Sequence, residues 1–117
     1  MTLREQIMSI ANEIRDKQDM MDANIASIKL NELTVLHARL TSIIAERQHA
    51  YLVKLDETMT DNDLSVSKAE VKAKASKEYG EYLEAINLEK STIEIIRALK
   101  LFIRIRQKEE EISGNLQ

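Results

Sequence analysis

Leu3, Ile7, Ile10, Ile14 and Met21 recur at close to 3.5 residues, the spacing of a helix face that packs on a neighbour. The pattern returns as Leu33, Leu36, Leu40 and Ile43, and then as Tyr51 and Leu55. Between the two stretches the phase slips, and residues 21–25 include Asp22 and Asn24, both poor helix formers. The N-terminal arm, 3–58, is therefore one helix with a kink or two helices broken near 22–24; the sequence leaves both open. At its start Thr2 is followed three places later by Glu5, the spacing of a capping box.

A polar stretch at 59–66 (Thr60, Asp61, Asn62, Asp63, Ser65) reads as a turn, because these side chains compete for backbone hydrogen bonds. Ser67 and Glu70 repeat the capping-box spacing and predict that a second arm starts at 67. That arm runs to Ile112, about 69 Å if straight. Ser113-Gly114-Asn115 then supplies a glycine stop and a short tail, 113–117. The expected fold is all-α: one domain over 1–117, built as a long antiparallel helical hairpin with coiled-coil-like packing.

Two arms alone bury little. Between Ile93 and Ile105 the apolar residues wrap well past one contact stripe. Ile96, Leu99 and Ile103 can face one neighbour while Ile95, Phe102 and Ile105 face another. The simplest solution is a homodimeric bundle whose interface holds Ile93, Ile96, Leu99, Phe102 and Ile103. The competing solution is a single-chain three-helix bundle folded at 22–24. Ala69, Ala73, Ser76 and Gly80 fall at i, i+4, i+7 and i+11 and form a stripe of small side chains. The stripe predicts a close helix contact, covered by the larger Tyr51, Leu52 and Leu55.

Composition narrows the function classes. Among 117 residues there is no proline and no cysteine, and only two glycines, Gly80 and Gly114. Unbroken helices are permitted, whereas disulfides, thiolate metal sites and cysteine nucleophiles are excluded. The net charge of −3 does not suit a chain that wraps nucleic acid over its whole surface. No apolar run approaches the roughly 18–20 residues of a membrane span, which leads to the expectation of a cytoplasmic protein without membrane contact.

Candidate chemistry is thin. Glu46 and His49 form one Glu-x-x-His, but a di-iron bundle needs the motif twice together with two further glutamates. Glu13, Asp16, Asp19 and Asp22 recur every third residue, and Glu13-x-x-Asp16 matches one half of the magnesium site of helical nucleotide pyrophosphohydrolases. Glu78, Glu81 and Glu84 match the other half loosely. A period of three drifts around a helix of 3.6 residues per turn, so the row spreads instead of converging. No catalytic residue, metal site or cofactor is expected.

Arg97, Lys100, Arg104, Arg106 and Lys108 form a basic run without an intervening acid. Tyr79, Tyr82, Arg97, Lys100 and Arg104 are the candidate partner contacts, since aromatic and arginine side chains commonly anchor interfaces. Tyr79 and Tyr82 serve equally well as seam residues between the arms. Glu109, Glu110 and Glu111 then reverse the sign and read as a fraying tail.

Three stretches carry a family resemblance: Ser65 to Ala75, Tyr79-Gly80-Glu81-Tyr82, and Ile93 to Lys100. They resemble small helical early proteins of tailed bacteriophages, over less than half of the chain. The resemblance implies a phage gene product acting in the bacterial cytoplasm, and it carries no catalytic residue across. The expected function is that of a non-enzymatic, homo-oligomeric helical protein that binds and modulates a host or viral protein. The alternatives are a nucleic-acid or recombination accessory using the basic run at 97–108, and a magnesium-dependent nucleotide pyrophosphohydrolase.

Overall fold

The computed structural model describes residues 1–115, and among these every element is helical. The order is α1 (Leu3–Lys17), a 3-10 turn (Gln18–Met20), α2 (Ala23–Asn62), α3 (Val66–Ala73) and α4 (Lys77–Asn115). Thr2 caps α1 as its spacing predicts: its Oγ1 accepts from the Glu5 amide at 3.1 Å.

The N-terminal arm is two helices. Met21 is extended (φ −90°, ψ 127°) and buried. The Asp22 carboxylate then accepts from the Ile25 amide at 2.8 Å, a side-chain cap that starts α2. The break falls at 18–22, slightly ahead of the predicted 22–24, because Asp22 itself serves as the cap.

The turn is shorter than 59–66. Helix α2 continues to Asn62, and Asp63 adopts φ 48°, in the left-handed region. The Leu64 amide donates to the Met59 carbonyl at 3.2 Å, the six-to-one closure of a Schellman end. With the chain reversed that early, Ser65 rather than Ser67 is the first extended residue, and its hydroxyl caps α3 through the Lys68 amide.

The second arm, expected unbroken over 67–112, is also two helices. The Ala75 and Ser76 amides donate to the carbonyls of Lys72 and Ala73, tightening the chain out of the α-helical ladder. The Ser76 hydroxyl then accepts from the Tyr79 amide at 3.3 Å and starts α4. At the far end Gly114 has an ordinary helical sign of φ and lies inside α4, so the expected stop at 113–115 is not used. Residues 116 and 117 of the expected tail lie outside the described residues. Glu109 and Glu110 belong to α4 rather than to a frayed tail: the Glu110 carboxylate accepts from the Ala23 amide at 3.2 Å, neutralising an open N–H at the start of α2.

The chain divides into two compact units. Unit 1 comprises residues 1–38 and 90–117 and unit 2 residues 39–89, so α2 and α4 contribute to both. In unit 1, α1, the first part of α2 and the last part of α4 meet. Ile7, Leu33, Thr92 and Leu99 are fully buried there, with Ile10, Met21, Ala26, Leu36 and Ile103 beside them in the core. Lys29 of α2 holds Glu13 of α1 at 2.9 Å and Glu32 at 3.6 Å. That ion pair pushes the Glu13 carboxyl below the usual carboxylate range, chiefly through the hydrogen bond from Lys29. The same bond raises the Lys29 ammonium.

Unit 2 buries one large side chain, Leu40, and otherwise smaller ones: Thr58, Ala69, Ala73 and Ala85. Arg47 of α2 donates to the Glu81 carbonyl of α4 at 2.9 Å, and Lys72 of α3 donates to the Asn62 side chain at 3.0 Å.

Candidate interaction surface

The residues expected to join two copies largely serve the chain's own core. Leu99 is 1% and Ile103 9% exposed within a single chain, and Ile93, Ile96 and Phe102 are half-buried. The break at 18–22 is the cause, because it returns α1 to the side of α4 on which Leu99 lies. Leu99 and Phe102 share a crevice with Ala11 and Ile14 of α1. Leu99 and Ile103 are therefore corrected from interface to core.

The stripe of small residues is divided in the same way. Ala69 and Ala73 are buried, Ser76 is a cap, and a Cβ built on Gly80 meets no atom within 4 Å. Gly80 is not in a close helix contact within the chain. The stripe assumed one continuous helix, and the interruption at 74–76 rotates Gly80 away from the direction set by Ala69 and Ala73. Of the residues expected over the stripe, Leu52 is exposed and Leu55 half-buried.

Tyr79 and Tyr82 are seam residues. Their rings lie 5.1 Å and 6.1 Å from that of Tyr51, within aromatic contact distance, and all three are half-buried. Arg97, Lys100 and Arg104 have a different setting. Together with Lys108 they are exposed and make no hydrogen bond or ion pair among the described residues. Arg106 is engaged: its guanidinium sits 5.1 Å from the centre of the Phe102 ring and binds Glu109 at 3.0 Å.

Helical geometry orders this face of α4. At about 100° per residue, Arg97, Arg104 and Lys108 fall along one edge. Leu101 and Ile105, 53% and 50% exposed, form a ridge beside it. Ala98 follows on the far side of the ridge and opens onto the crevice between α4 and α1, about 290 Å³, whose walls are Ile14, Ile95, Leu99 and Phe102 with Arg15 and Gln18 at the rim. Sequence reasoning placed Ile105 toward a neighbour and did not single out Ala98 or Leu101. Their signal was present: Leu101, Ile105 and Ile112 stand at i, i+4 and i+11, off the 96/99/103 stripe.

The acidic row does not converge on a site. Glu13 is held by Lys29, Asp16 by Arg15, and Asp22 caps α2, while Asp16, Asp19 and Asp22 are exposed. Glu46 and His49 are exposed on α2. Among the described residues no group of three or more His, Cys, Asp or Glu side chains is placed to hold a metal ion, and no helix is long and apolar enough to cross a membrane. No protein-family model, curated protein or solved structure matches the chain.

Proposed function

We propose that the chain is a non-enzymatic helical interaction protein that presents a helix face to another protein and modulates it. The observation that carries this reading is the α4 face of unit 1, where unpaired basic side chains border exposed Leu101 and Ile105. An apolar strip edged by charge is the usual composition of a specific protein contact. The resemblance to phage early proteins suggests a host or viral target in the bacterial cytoplasm, with inhibition of a defence or metabolic enzyme as one concrete form.

Self-association belongs to the same proposal. The two arms would form an antiparallel hairpin, and two hairpins a dimeric, coiled-coil-like bundle. In unit 1 the Glu110 carboxylate accepts from the Ala23 amide, and in unit 2 Arg47 donates to the Glu81 carbonyl; each contact joins α2 to α4 and supports the pairing of the arms. With Leu99 and Ile103 assigned to the core, the seam would use exposed apolar positions such as Ile25, Ile28 and Val35 of α2.

The test exposes the purified protein to nucleotides with magnesium, to labelled single- and double-stranded DNA at near-physiological salt, and to bacterial lysate, with mass spectrometry of what is retained. The proposal expects no turnover, no salt-sensitive DNA retention, and a stoichiometric protein partner. The free basic edge makes nucleic-acid binding the second reading. DNA retention that falls steeply with salt and is lost in Arg97→Ala/Arg104→Ala would establish it in place of the first. Nucleotide turnover abolished by Asp16→Ala would establish the hydrolase instead. Light scattering tests the dimer, and a compact monomer at micromolar concentration removes that part.

A further inference from the structure

The free cations of α4 stand on one edge of a ridge, and the crevice mouth stands on the other. Over 97–108 no acid interrupts them; Glu94 and Glu109 bound the stretch. The patch therefore asks for two things at once: negative charge along one side and a large apolar group on the other.

Four kinds of occupant can be compared on that requirement. A phosphate backbone satisfies the cations but leaves Leu101, Ile105 and the crevice against charge. The one aromatic ring present, that of Phe102, is half-buried and already covered by Arg106, so it offers no base-stacking platform. An anionic membrane would meet the exposed carboxylates of Glu94 and Glu109, which bound the basic stretch on the ridge side of the helix. A second copy related by a twofold axis sets the basic edge against its own image when antiparallel and against the crevice edge when parallel, and the acids it brings, Glu94 and Glu109, stand only at the ends of the stretch, too few to match Arg97, Arg104 and Lys108. An amphipathic helix of a different protein meets both demands. Its side chains repeat along a line at the 5.4 Å pitch of the ridge, and one of its edges can carry carboxylates while its apolar face lies on Leu101 and Ile105.

Resting on the interaction-protein reading, we infer that this face of α4 binds an acidic amphipathic helix. Its carboxylates pair with Arg97, Arg104 and Lys108, and one large apolar side chain is anchored in the crevice beside Ala98. The anchor supplies most of the affinity, because it is the group removed from water. The carboxylates set register and association rate.

A yeast-displayed library of random helical peptides, selected against the full-length protein, supplies its own ligand and so tests the inference directly. The winners should carry net negative charge with Leu, Phe or Trp at i, i+3 or i+4, and i+7. For one synthesised winner, fluorescence anisotropy should show a loss of about tenfold or more with Leu101→Ser/Ile105→Ser and with Ala98→Trp, which closes the crevice mouth. Arg97→Glu/Arg104→Glu should cost a similar factor and regain it when the peptide's acids are changed to lysine. All these positions are exposed, so the melting temperature should stay at the wild-type value and separate lost binding from lost folding. The inference is overturned by winners without an acidic bias or by a selection that yields no binder. Binding indifferent to the α4 substitutions overturns it while leaving the interaction reading standing. It is also overturned if single-stranded DNA or phosphatidylserine vesicles bind at near-physiological salt and lose that binding in Arg97→Glu/Arg104→Glu, or if sedimentation shows a dimer that Leu101→Ser/Ile105→Ser dissociates.

Discussion

In unit 1 the buried side chains include Ile7, Ile10, Leu33, Leu36, Leu99 and Ile103, whereas in unit 2 they are Leu40, Thr58, Ala69, Ala73 and Ala85. Burying a leucine or isoleucine stabilises by about 1.5–3 kcal/mol, and an alanine, with a single side-chain carbon, far less. Unit 1 is thus held by large interdigitated side chains, with the Glu13–Lys29 pair across two helices at its edge. Unit 2 is held by close approach over alanines, by a half-buried tyrosine cluster, and by polar bonds to backbone and side chain such as Arg47 to the Glu81 carbonyl. One amphipathic pattern is closed here in two ways. Where three helical segments meet, bulky residues fill the space; where α3 is short and the helices are interrupted, small residues let backbones approach.

The largest effect should come from unit 1. Leu99→Ala should destabilise by about 2–5 kcal/mol, since a side chain only 1% exposed is removed and space is left beside Ile14 and Phe102. Urea unfolding checks the value, and a loss under about 1 kcal/mol would mean that Leu99 is covered less closely than its 1% exposure indicates.

In unit 2 the sensitive change is enlargement. Ala73→Leu should cost about 1–3 kcal/mol by overpacking, because Ala73 is 1% exposed. A thermal melt at or above that of wild type would show that α3 can shift to accommodate the larger side chain, and the contrast between the units would weaken.

Gly80 marks a place where neither kind of packing operates. A side chain there meets open space, so Gly80→Ala should stabilise by up to about 1 kcal/mol through helix propensity, and Gly80→Leu should not destabilise. Destabilisation by leucine would instead place a neighbour over this face, in a second copy or a partner.

Asp63 holds a left-handed conformation that glycine adopts without steric cost. Asp63→Gly should raise stability by about 0.5–1 kcal/mol in the same melts.

The smallest effect should be the pH dependence of the Glu13–Lys29 pair. The folded Glu13 carboxyl lies below its ordinary value, so its contribution is present above the ordinary carboxylate range and is lost as pH falls through the lowered value. Lys29 is raised, so its share holds below the ordinary lysine range and is lost as pH rises through the raised value. Between these limits Glu13→Gln should lower the melting temperature, and toward strong acid the two proteins should converge. A difference that persists unchanged into acid would remove the ion pair from the account.

Much of the helical plan can be read from the residues themselves, since capping and propensity are local. Thr2 starts α1, the slip after Met21 marks a kink or a break, and the Asp- and Ser-rich turn separates α2 from α3. The break before α4 was missed, although Ser76 followed by Glu78 is an ordinary helix start. The flanking run of Lys and Ala favours helix so strongly that only the bonded geometry at Ser76 reveals the interruption. Of the candidate surface, Arg97, Lys100 and Arg104 could be read as exposed cations from their run alone, whereas Ala98 and the crevice could not.

Residue order alone dictates that the chain is all-helical among its described residues, and it places the start of α1 and, to within two residues, that of α3. Which apolar stripe is core and which is surface was settled by packing. Periodicity states that two faces of α4 are apolar, but burial depends on which helix arrives. The reversal at Met21 and Asp22 brings α1 to Leu99, while Leu101 and Ile105, on the adjoining face of the same helix, remain in water.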